Sequence, residues 1–159
     1  MTVTIRCDER IAAPPATVWA DIERIETHPD WMADALRIDF ETAQHRGVGT
    51  GLVCLTRVGP LRTHDRLVVT EWDPERAMSI EHRGAVRGVG RFTLTPAGDA
   101  TRFGWEETLR FPWWLGGPFG ERAAAPILAR VWRANLARLR LRFESGSTTS
   151  ADSDPTTAG

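Results

Sequence analysis

The chain contains no lysine; all 20 of its basic residues are arginine. That absence excludes Schiff-base catalysis and the lysine of phosphate-binding loops. Tyrosine is missing too, so no phenol is available as an acid or an oxyanion donor. Cysteine is limited to Cys7 and Cys54, both within segments that alternate like strands. With no close Cys/His spacing they do not suggest a metal site, and they read as small buried hydrophobes in a reducing compartment. No run of about 18 apolar residues occurs, so neither a membrane-spanning helix nor stable membrane insertion is expected. A net charge of −1 leaves no global attraction to nucleic acid or to an anionic membrane. The opening residues, MTVTIRCDER, lack the apolar core of a secretion signal, and a cytoplasmic location is expected.

What is present is an ordinary globular balance, 42% hydrophobic and 26% charged over 159 residues, enough for one domain with a real core. Val3, Ile5, Cys7 and Ile11 share one face of a half-buried strand. Pro14 and Pro15 stop it and suit the first turn of a short helix running to about Ile25. Thr27 with Asp30 resembles a cap for a second short helix through Trp31 and Met32. The period then becomes two, in segments starting near Leu36, Leu52, Leu61, Met78, Val86 and Thr101. Links as short as Gly59-Pro60, Arg83-Gly84 and Pro96–Asp99 permit only antiparallel neighbours.

Beyond Pro118 the spacing is helical to Glu144, with Leu128, Trp132, Leu136, Leu139 and Phe143 on one apolar stripe and Ile127 and Val131 on another. Pro126 should kink this helix or mark where its straight part begins. The predicted fold is therefore α+β: a curved, seven-stranded antiparallel sheet wrapped around one long C-terminal helix, with two short helices between strands 1 and 2. One helix cannot cover a flat sheet of that width, so the sheet must curl and leave a cavity between itself and the helix. Residues 1–144 are expected to form this domain. Residues 145–159, rich in Ser, Thr, Asp and Gly, are expected to be a disordered tail.

Several segments carry a family resemblance in their order: IAAPPATVWADIERIETHPDW, GVGTG, VTEWDPERAMSIEHRG, GVGRFTLTPAGDATRFGWEETLRFP and LARLRLRFE. Together they resemble the START-like polyketide cyclase/dehydrase superfamily (SRPBCC). The resemblance implies a helix-grip fold with a deep apolar cavity. Members of that superfamily include aromatic polyketide cyclases, lipid and quinone carriers, plant hormone receptors and a chaperone-activating domain. It has no universal catalytic signature, so the resemblance implies fold and pocket more than activity.

Candidate site residues follow from strand faces. Phe103, Trp105, Glu107 and Leu109 alternate on the more apolar face of the last strand, against Arg102, Gly104, Glu106 and Thr108. If that face is concave, Glu107 is a carboxylate in an apolar cavity, which either pairs with arginine or has a raised pKa. It is the best acid/base candidate; the alternative is an Arg-paired carboxylate near the cavity mouth. His82 shares a face with Met78 and Ile80, and could bind a ligand carbonyl or hydroxyl or instead reach water at the hairpin end. Phe92, Phe103, Trp105, Leu128 and Trp132 are expected to line the cavity.

His64 and Asp65 point to opposite faces, so they form no simple dyad, though one could face the cavity. The four histidines show no metal-ligand spacing, and neither metal nor cofactor is expected. Gly47–Gly51 fails as a nucleotide loop, because no helix follows; these glycines, and Gly88 and Gly90, are read as sites of bulging or curvature. Trp113 and Trp114 either pack under the start of the last helix or act as a gate over the cavity mouth or a contact surface, and Trp114 is counted with the expected ligand-binding residues.

The expected function is binding of a small, largely apolar, aromatic or lipid-like molecule. One alternative is a polyketide cyclase/dehydratase-type enzyme using the same cavity. Another is a protein- or membrane-interaction module acting through the Trp113-Trp114 loop. A monomer or homodimer is expected, with no nucleic-acid partner.

Overall fold

A computed structural model describes residues 2–146. Among them, β1 (Val3–Ile11) is followed by α1 (Pro15–Ile22) and a 3-10 turn, η1 (Ile25–Asp30). A meander follows: β2 (Ala35–Phe40), β3 (Gly51–Val58), β4 (Leu61–Asp73), β5 (Ala77–Arg83), β6 (Arg87–Ala97) and β7 (Ala100–Arg110). A short turn, η2 (Trp113–Leu115), then leads into α2 (Gly117–Gly146). The sheet order is β1-β7-β6-β5-β4-β3-β2, and every pairing is antiparallel. This is the α+β helix-grip architecture expected from the residues.

Period two builds the sheet. Ile5, Cys7 and Ile11 of β1 are buried while their neighbours are exposed, and β7 buries Phe103, Trp105, Glu107 and Leu109 in the same way. Helical spacing builds the other wall: Trp132, Leu136 and Leu139 of α2 are buried against the concave face. Full burial of one such leucine contributes about 1.5–3 kcal/mol. An aromatic cluster joins the layers, with the Trp105 and Trp132 rings stacked at 5.1 Å and Trp31 edge-on to Trp105 at 6.2 Å. Polar groups fasten the helix as well. Arg142 Nη2 donates to Asp21 Oδ1 at 2.8 Å, and Arg140 Nη1 donates to Glu9 Oε1 at 3.3 Å.

Four local expectations are corrected. α1 ends at Ile22 rather than near Ile25. The second helix is a 3-10 turn that stops at Asp30, short of Trp31 and Met32. Pro29 lies inside that turn, and the Thr27 hydroxyl donates back to Arg24 O at 2.8 Å instead of capping onward. Of the two roles read for Gly88 and Gly90, bulging is the one overturned: the ladder runs through both without a shift, and the irregularities fall at Ala35/Arg37 and Val69/Glu71. Gly88 is required for another reason, since a Cβ there would lie 1.9 Å from Thr108 O. Lastly, the helix continues past Glu144 through Gly146, with the Ser145 hydroxyl bonded to Leu141 O at 3.0 Å. The remainder of the expected tail, residues 147–159, lies outside the described residues.

Candidate functional site

The concave face and α2 enclose a cavity of about 230 Å³. Its wall is mainly apolar, with Leu52, Leu67, Met78, Ile80, Phe92 and Trp105 from the sheet and Leu128 and Trp132 from the helix. The start of β4, the β5–β6 turn and η2 gather at one end of the sheet, contributing Leu61, Val86 and Leu115 to the wall. Leu61 is 44% exposed, so the cavity meets solvent at this end. Cys54 also lines it, and burial pushes its thiol up to about 11. That leaves it protonated and a poor nucleophile at neutral pH.

The central polar feature spans three strands. Glu107 on β7 faces Gly90 on β6, and because Gly90 has no side chain the carboxylate reaches over it to His82 on β5. A Cβ at Gly90 would lie 2.8 Å from Glu107 Oε2. His82 Nε2 donates to Glu107 Oε1 at 2.5 Å, and Trp105 Nε1 donates to Glu107 Oε2 at 2.7 Å. Both carboxylate oxygens are thus satisfied without an arginine, so the Arg partner anticipated for a buried Glu107 is replaced by imidazole and indole. Burial opposes charging of His82, but its hydrogen bond to Glu107 and the charges of Glu107 and Asp65 outweigh it and raise the imidazole pKa.

Two further carboxyl groups line the cavity. Asp34 Oδ1 accepts from Asn135 Nδ2 at 2.6 Å, and Asn135 Oδ1 in turn accepts from Ala33 N–H at 3.0 Å and from Arg138. Burial holds the Asp34 carboxyl above the usual carboxylate range despite that hydrogen bond. Asp65 Oδ2 accepts from the Thr63 hydroxyl at 2.8 Å. A hydrogen-bonded His–Glu pair in an apolar wall can orient a polar ligand group, or pass a proton to or from one.

The structure brings together His82, Phe92, Trp105, Glu107, Leu128 and Trp132 on the cavity wall. Two expected lining residues fall elsewhere. Phe103 has no exposure and packs against Phe92, with ring centroids 5.1 Å apart, in the core cluster rather than on the cavity wall. Trp114 lies in η2 on the outside, 55% exposed, beside Trp113 at 87% and Phe119 at 86%. Neither tryptophan packs under the helix start. Ile127 of the second predicted helix stripe is likewise exposed. His64 is exposed while Asp65 is buried, and Glu106 faces outward to pair with Arg6. Sequence reasoning missed Asp34, Asn135 and Thr63. Of these only Thr63 carried a signal, since it shares the inward period of Asp65, Leu67 and Val69.

A curved antiparallel sheet gripping one helix around a largely apolar cavity defines the helix-grip class of ligand-binding and cyclase-type folds. The chain belongs to the family described as polyketide cyclase / dehydrase and lipid transport, which matches residues 2–144. Solved structures agree in fold. A protein of Thermus thermophilus is 18% identical with a TM-score of 0.76, covering 91% of this chain and 99% of its own. A START superfamily protein of Mycobacterium smegmatis is 14% identical with a TM-score of 0.74, covering 89% and 97%. The ZhuI aromatase/cyclase from Streptomyces sp. R1128 is 14% identical with a TM-score of 0.75, covering 95% and 99%. A search of curated protein sequences finds no match.

Proposed function

We propose that this protein binds a small, largely apolar molecule, aromatic or lipid-like, between the sheet and α2. The observation that carries the reading is the cavity wall, in which Phe92, Trp105, Leu128 and Trp132 surround a single His82–Glu107 pair. Apolar area supplies affinity there, and the few polar groups orient the ligand. The proposal includes a cytoplasmic protein, monomeric or homodimeric, that uses no cofactor. Native mass spectrometry of freshly purified protein, followed by solvent extraction, tests it directly. The expected result is a bound apolar compound, released by extraction and lost from the Trp132→Ala variant. A thermal-shift screen gives a second measure, since a ligand at about one hundred times its Kd stabilises the native state by about 2.7 kcal/mol. If neither experiment yields an apolar binder, the reading fails.

A cyclase or dehydratase-type activity is favoured by one observation, the His82–Glu107 hydrogen bond itself. A proton-transferring group needs a partner that sets its charge, and each residue supplies that for the other. Glu107→Gln separates the two readings: catalysis predicts that turnover of a polyketide-like substrate falls about a hundredfold or more with binding nearly kept. Simple binding predicts only a modest change in affinity.

A further inference from the structure

His82 uses Nε2 to bond Glu107, but its Nδ1 is buried with no hydrogen-bond partner. Asp65 presents the complementary defect. It is 6% exposed, its Oδ2 accepts from Thr63, and its Oδ1 is buried and unpartnered. Both residues line the same cavity. The register places Leu67 opposite His82, so Asp65, two residues along the same face of β4, is the diagonal neighbour of His82. Such diagonal positions are about 7–8 Å apart at the backbone, within reach of a group held between the side chains. Asp65 is also close enough for its charge to favour the imidazolium, in which Nδ1 carries a proton.

We propose that these two unpartnered atoms recognise a hydroxyl, with a small side-chain adjustment admitting it between them, so that the ligand is a neutral phenol or alcohol on an apolar skeleton. This deepens the binding reading above and rests on it. A hydroxyl accepts from His82 Nδ1–H and donates to Asp65 Oδ1 with one oxygen. A ketone or an ether only accepts, and leaves Oδ1 unmet. An ammonium only donates, and leaves Nδ1–H unmet. Each unmet buried partner is penalised in full, which is how a site rejects analogues lacking one group. A carboxylate fares worst, because it brings another negative charge to a wall that holds Asp34, Asp65 and Glu107 and, among the described residues, no arginine.

Four probes of one skeleton test the proposal: naphthol, naphthalene, methoxynaphthalene and naphthoate, titrated against the full-length protein by tryptophan quenching. Naphthol is expected to bind about tenfold more tightly than naphthalene or methoxynaphthalene, with naphthoate weakest. In Asp65→Leu, naphthol should fall to the level of naphthalene measured on the same variant. Equal binding of naphthol and naphthalene by the wild type overturns the proposal but leaves the apolar-binding reading intact, as does a preference that survives in Asp65→Leu. Failure of all four to bind overturns both. The wild-type ranking decides the matter even if the variant does not fold.

Discussion

His82 and Glu107 meet at 2.5 Å although they lie on strands that are not neighbours, and the residue between them, Gly90, has no side chain to block the contact. The pair therefore depends on a glycine as much as on its own two members. Gly90→Ala would place a methyl group 2.8 Å from Glu107 Oε2 and push the carboxylate away. The expected loss is about 1–3 kcal/mol, because His82 Nε2 and Glu107 Oε1 lose each other as partners. Chemical denaturation measures that loss, and the His82 pKa, followed by NMR, should drop at the same time. Unchanged stability and an unchanged His82 titration would refute the dependence.

Buried His28 and half-buried His82 give opposite pH responses. The folded-state pKa of His82 is raised, since Glu107 and Asp65 outweigh burial. Its contribution is complete below the unfolded value of about 6.5 and is lost as pH rises through the folded value. The pKa of His28 is lowered, chiefly by burial, and its ring bonds Ile22 O at 2.7 Å. It adds a penalty as pH falls below about 6.5, because the unfolded chain then binds the proton more readily. Thermal melts across pH should show Tm declining on the alkaline side in the wild type and flattening there in Glu107→Gln. His28→Gln should flatten the acid side alone. An alkaline limb identical in Glu107→Gln and wild type would show that the pair contributes no linkage.

Asn135 ties α2 to the chain just before β2. Its side chain has no exposure and bonds both Asp34 Oδ1 and Ala33 N. Asn135→Leu should cost about 1–3 kcal/mol, because the Ala33 amide loses its partner and the Asp34 carboxyl loses one of its hydrogen bonds. The Asp34 carboxyl, already pushed up by burial, should titrate higher still once the amide that lowers it is gone. A urea midpoint within error of wild type would contradict this.

Trp132 stacks on Trp105 and forms part of the cavity wall. Trp132→Ala should cost about 3–5 kcal/mol, the usual range for a buried aromatic truncation. By contrast, replacing exposed Trp113 and Trp114 with serine should shift stability by no more than about 0.5 kcal/mol each. Comparable losses in the two experiments would mean that the η2 tryptophans pack against something in solution.

Much of the architecture was legible in the residues because it rests on short-range periodicity. Alternation along 100–110 sets Glu107 on one face with Phe103, Trp105 and Leu109 and Glu106 on the other, and the curvature of the sheet makes the first face the inward one. Short polar links dictated antiparallel neighbours, and Trp132, Leu136 and Leu139 recur at helical spacing. The failures were local competitions: the Thr27 hydroxyl chose Arg24 O over a cap, and Ser145 extended a helix expected to have ended.

Along-chain pattern decides which face a side chain takes, since a strand has a period of two and a helix one of 3.6. It does not decide which residues from distant segments meet on that face. Asp34 and Asn135 are 101 residues apart, His82 and Glu107 are 25 apart, and no periodicity links either pair. Their meeting is set by strand order, by the register that puts Gly90 opposite Glu107, and by the rotation of α2 that aims Asn135 at Asp34. Those are properties of packing among many residues at once. The sequence by itself therefore determined the sheet, the helix and the residues that share a face with Glu107; only the tertiary structure turned that face inward and made of Glu107, His82, Asp65 and Asp34 a single polar lining.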